Sequence, residues 1–159
     1  MSRRRRRSVG QALVEFSLVA PIFFFLIFAI LDFGRYVYYV QVLNNAAREG
    51  ARYAIVHGWQ GLPPSGPPGP GTSSPDPTGN NVKAVVRNYL VGVIGQTTGS
   101  LTINVCWQPK NGVGAACSGD NSRGSPVDVT VDYSFRSVIP LVPIPPINVQ
   151  GASTLVINN

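Results

Sequence analysis

The sequence predicts an α+β fold: one long N-terminal helix that starts in a membrane and continues into a small domain of one short helix and an antiparallel sheet of about three strands. An uncharged apolar run closes the first thirty-odd residues and gives the helix its start. Small and apolar residues at intervals of three and four then carry the helical period on towards Val56. In the last third of the chain the period changes to two, with no helical pattern between the alternating runs, which favours an antiparallel sheet packed on the helix.

The apolar run is Gln11 to Leu31, interrupted by one ionisable residue, Glu15. As a helix it spans about 31 Å at 1.5 Å per residue, which matches a hydrocarbon core of about 30 Å. Before it stand Arg3, Arg4, Arg5, Arg6 and Arg7. The formal net charge is +6, from 13 Lys and Arg against 7 Asp and Glu; without those five arginines the two signs nearly balance. The basicity therefore belongs to a tail and not to a face of the folded domain. A tail of this kind binds phosphate, of nucleic acid or of anionic lipid, but directly before an apolar span it reads as a topology signal that stays cytoplasmic. The expectation is a single pass of the inner membrane, N-terminus inside and everything after Leu31 outside. No nucleic-acid partner is expected. A cleaved secretory signal has a shorter apolar stretch followed by a small-residue cleavage site. Here the small-residue break, Gly10-Gln11, precedes the apolar stretch, and Asp32-Phe33-Gly34-Arg35 follows it.

Phe33, Val37, Val40, Asn44, Ala47, Ala51 and Ala54 continue the helical stripe. Pro21 removes one backbone bond and is expected to kink the helix, which membrane helices tolerate. Tyr36, Tyr38 and Tyr39 sit where an interfacial aromatic belt would be. Ala46, Gly50 and Ala54 allow close backbone approach, to this chain's own sheet in preference to a second subunit. His57-Gly58 ends the helix. Residues 58–81, rich in proline and glycine, read as a solvated linker. Asn81 is expected to cap a second helix from Val82 to about Ile94, ended by Gly95. Leu101 to Gln108 and Val127 to Arg136 alternate as half-buried strands, and Asn148 to Ile157 makes a third. Ile139 to Pro146, with its prolines, reads as an extended connection. The organisation is then a basic leader over 1–10, a long helix over 11–57 with its span at 11–31, a linker over 58–81 and an extracytoplasmic domain over 82–159.

Cys106 and Cys117 fall in the part placed outside, where an oxidising compartment favours a disulfide over two free thiols. Two cysteines and one distant histidine do not supply a metal's four ligands. No catalytic constellation stands out either. His57 has no nearby nucleophile in sequence, no phosphate loop occurs, and Asp128 and Asp132 read as a solvated strand face. The expectation is a protein without cofactor, metal or enzymatic activity.

A basic leader ending in glycine, with glutamate as the fifth residue after it, resembles the processing signal of type IV pilins and pseudopilins. Gly10, Gln11 and Glu15 stand in those positions. The wording Gly10-Gln11-Ala12-Leu13-Val14-Glu15-Phe16, a proline soon after, then Asp32-Phe33-Gly34-Arg35 and Asn45 to Ala54, resembles the TadE-like proteins of the tight-adherence pilus system. The resemblance implies cleavage after Gly10 by a prepilin peptidase, a new amino terminus at Gln11 that neutralises Glu15, and assembly of a homo- or hetero-oligomer with a pilus platform and other pilins. A carboxylate at the centre of a membrane segment costs about 2.5–3.5 kcal/mol. Near the cytoplasmic end the cost is smaller, yet a partner still stabilises it. The competing expectation is a permanently anchored extracytoplasmic binding protein, never cleaved, in which Glu15 has no role.

Overall fold

The structure, a computed structural model, describes residues 4–69, 71–94, 100–108, 117, 119, 121–137 and 145–158. Arg3, the helix stop at Gly95, the interior of the disulfide loop and the Ile139–Pro146 connection as far as residue 144 lie outside them. The fold is α+β, as expected: α1 (Arg4–Val56), α2 (Asn80–Ile94), β1 (Leu101–Trp107), β2 (Pro126–Phe135) and β3 (Ile147–Val156). α1 takes in most of the basic leader and continues on both sides of Pro21.

The chain divides into two compact units. One comprises Met1–Val37 and Arg136–Pro145, the other Tyr38–Phe135 and Pro146–Asn159. In the first, the apolar helix is bare on all sides; Phe16 is 68% and Leu18 67% exposed, on nearly opposite sides of the helix. A helix that is apolar all round and exposed among the described residues suits a lipid solvent. It is the one candidate membrane span among the described residues, and it fits a membrane-anchored protein.

The second unit is built on β2. It pairs antiparallel with β1, Leu101 opposite Tyr133 through Trp107 opposite Val127. On its other side it pairs antiparallel with β3, Pro126 opposite Val156 through Phe135 opposite Ile147. Val127, Val129, Val131, Tyr133 and Phe135 are buried and their neighbours are not, so the alternation read from the sequence is the real one. Leu43, Ala46, Ala47, Ala51 and Ala54 of α1 and Val82, Val86 and Leu90 of α2 complete the core. Gly50 explains the small-residue stripe: a methyl group there would collide with Val86 and press on Val129. The stripe therefore serves this chain's own α2 and sheet. At Gly151 the backbone of β3 runs directly against that of Leu43 and Asn44. There the Asn44 carboxamide oxygen accepts the Ala152 N–H at 3.3 Å, and so covers an edge-strand donor.

Several sequence expectations need correction. The helical stripe was drawn from Phe33, yet Phe33 is 69% and Val37 38% exposed. A helical period tells which residues share a face but not what covers that face. Tyr39 packs instead with Tyr133 and Phe135, centroids 5.3 and 5.6 Å away, inside the second unit. The cap of α2 is Asp76, not Asn81: its carboxylate accepts the N–H groups of Asn80 at 2.7 Å and Asn81 at 2.8 Å. Residues 58–81 are not a solvated excursion. Ser65, Gly66, Gly69, Asp76 and Gly79 are buried, because the glycines leave flat backbone on which tryptophan rings lie. Gly66 and Gly79, both at positive φ, rest on Trp107, and Gly69 rests on Trp59. The prolines exclude helix and sheet; the glycines dock the loop.

Candidate assembly and processing segment

Gly10, Gln11 and Glu15 all lie inside α1, on exposed helical backbone. Gly10 has open space where a Cβ would project. Gln11 and Glu15 are one helical turn apart, on the same face. Among the described residues Glu15 makes neither an ion pair nor a hydrogen bond, and it stands among exposed apolar neighbours, Leu13, Val14, Phe16 and Leu18. In this uncut chain the nitrogen of Gln11 is a peptide N–H and carries no charge to offer the carboxylate. Arg4, Arg5, Arg6 and Arg7 lie on the first turns of the same helix.

A second acidic group marks the other end of the apolar stretch. Asp32 is only 8% exposed. Its Oδ1 takes a hydrogen bond from Arg35 Nη1 at 3.1 Å, and its Oδ2 takes one from the Ser137 hydroxyl. The Ser137 contact ties the strand connection that leaves β2 to the end of the apolar helix, within the first unit. Sequence reading passed over this residue. An acid directly after an uncharged run, with arginine three residues on, is the signal that could have found it.

In the second unit Cys106 of β1 and Cys117 are joined as a disulfide. Gly119 returns from it to β1, its N–H donating to the Trp107 carbonyl at 3.0 Å. The docked loop is held by a polar cluster that the sequence did not reveal. The Ser65 hydroxyl donates to Asp76 Oδ2 at 2.8 Å, and Asn121 Nδ2 donates to the Ser65 carbonyl at 3.0 Å. Burial opposes ionisation of Asp76, but the Asn81 N–H, the Ser65 hydroxyl, the Asn80 N–H and the nearby Lys83 charge outweigh it, and its carboxyl lies below the ordinary aspartate value. Beside the cluster a cleft of about 760 Å³ is lined by Pro67, Pro77, Lys83, Val105 and Trp107. Its described walls offer one cation and no acid–base pair. The carboxylates Asp128 and Asp132 each accept a bond from a glutamine amide, Gln108 and Gln150 respectively.

The model of the TadE-like protein family matches residues 10–52. The match begins at the glycine before the apolar run and takes in Glu15, Asp32 and, of the small residues of α1 in the core, Ala46, Ala47, Gly50 and Ala51 but not Ala54. No curated protein and no solved structure matches the chain.

Proposed function

We propose that this chain, TadE-like over residues 10–52, is a pseudopilin-like subunit, cleaved after Gly10 by a prepilin peptidase and assembled through its apolar helix into or at the base of a tight-adherence type pilus. The observation that carries the reading is the exposed helix with one carboxylate near its start, Glu15, that has no partner among the described residues. Helices of like subunits laid side by side would cover that apolar surface, and a charged α-amino group at Gln11 would meet Glu15, its own or a neighbour's. The new amine is one helical turn from the carboxylate, close enough for an ion pair worth far more beside lipid than in water.

Cleavage needs local opening of α1, since a peptidase takes extended backbone. Glycine is the residue to open at: in a helix interior it is about 1 kcal/mol less favourable than alanine. The basic leader would hold the scissile bond on the cytoplasmic side of the inner membrane, and the sheet domain outside would supply surface contacts to the platform and to other pilins. The reading is tested by intact mass and the terminal peptide of the protein purified from its own membranes. A chain beginning at Gln11 is the expected result. A chain that keeps Arg3 to Arg7 would favour the permanent anchor and leave Glu15 without its partner.

A further inference from the structure

The first unit carries more exposed apolar surface than the Gln11–Leu31 stretch explains. Ile30, Phe33 and Val37, at helical spacing on one face, are all exposed, and Phe33 is among the barest large side chains of the helix. The one acid in this region is not free to claim water: Asp32 is buried, with its oxygens on Arg35 and Ser137. Its charge is thus balanced inside the unit by Arg35, which leaves the apolar side chains as the surface. The Ser137–Asp32 bond also brings Arg136, an exposed cation, beside the helix at this level. From Gln11 to Val37 the helix spans about 40 Å at 1.5 Å per residue, which equals a bilayer with its headgroup regions and not the hydrocarbon core alone.

We infer that the bilayer contact runs past Leu31 to Val37, and that Phe33, Val37 and Arg136 form a collar that docks on phospholipid headgroups where the helix leaves the membrane. Phe33 and Val37 lie at the acyl boundary, and the Arg136 stem runs along apolar surface with its head at the phosphates. The partner is a lipid surface, continuous with the span, and the inference rests on the helix crossing a bilayer.

The test uses the full chain in lipid nanodiscs, with Phe33→Trp as reporter and the native emission of Trp59 and Trp107 subtracted. Lipids brominated near the top of their acyl chains should quench the F33W emission at least about twofold more than lipids brominated near the chain ends, while acrylamide reaches it poorly. A Phe24→Trp variant reports the span itself and should prefer the deeply brominated lipid. If F24W is quenched by lipid but F33W is open to acrylamide and untouched by bromine, the collar is wrong and the span stands. If neither is quenched by lipid, both fall. Adding Arg136→Glu to F33W should raise acrylamide access in discs of anionic lipid; no change would remove Arg136 from the collar.

Discussion

Asp76 does at the residue scale what no run of residues announced. It caps α2 through two backbone N–H groups and holds the preceding loop through Ser65. Loss of such a cap costs about 1 kcal/mol, and up to about 2 in favourable sites. Asp76→Ala should therefore lower the stability of the second unit by that amount, read as a shift in the urea midpoint at neutral pH. Because its folded pKa lies below the unfolded value of about 3.9, its contribution is complete above that value and is lost as pH falls through the lower, folded one. The difference in midpoint between the wild type and Asp76→Asn should hold steady above about pH 5 and shrink below about pH 4. A difference that stays flat into that acid range would show the carboxylate's charge to be irrelevant. Gly50 is the second decisive residue. Gly50→Val would drive branched methyl groups into Val86 and Val129, and overpacking of this kind costs about 1–3 kcal/mol. Thermal melts of the two proteins would measure it, whereas Gly34→Ala, inside α1 with open space at its Cβ, should not lower the melt and should raise it slightly, because alanine favours a helix interior by about 1 kcal/mol over glycine.

At the scale of elements, β2 is the strand whose sequence and burial agree residue for residue, because it is central and one of its faces meets the helices. β1 is an edge strand and depends on other devices at its end. The disulfide from Cys106 closes a loop with a sequence separation of 11. In the chain-entropy model a loop of that order contributes about 3 kcal/mol. Reduction, or Cys117→Ser, should lower the unfolding free energy by about that much in denaturant titrations run with and without reductant. No change in midpoint would mean that the unfolded chain is not constrained by this bond. The loop over 58–81 shows why composition misleads at this scale. Its prolines and glycines announced irregular backbone and were read as solvated. Irregular backbone and buried backbone are compatible, however, wherever the polar groups are paired. Here Gly66 N–H donates to the Asp76 carbonyl and Ser65 N–H to the His57 carbonyl.

For the whole molecule, the apolar half of α1 is the part whose large side chains are exposed among the described residues, and the proposed assembly turns on the one acid within it. Glu15→Ala removes the charge without disturbing packing, since Glu15 touches only exposed surroundings. The variant should still insert and be processed at Gly10, yet pilus yield, counted by electron microscopy of sheared filaments, should fall at least about tenfold if an ion pair of about 1.4 kcal/mol or more is lost per subunit contact. Normal filaments would remove Glu15 from the assembly mechanism. The sequence by itself determined the apolar stretch that is a candidate span, the long helix, the second helix, the three strands and their pairing sense, because each depends on a local period or on the length of an apolar run. It also carried the arginine run and the Gly10, Gln11 and Glu15 pattern on which the proposed processing rests, which are local words. Only the tertiary structure decided that Ala46, Gly50 and Ala54 face α2 and the sheet, that Asp76 and not Asn81 caps α2, that Trp59 and Trp107 lie on loop glycines, and that Asp32 holds Ser137. Each of these joins residues far apart in the chain or selects one of several equivalent local partners. Periodicity states which side chains share a face; what lies against that face is settled by packing alone.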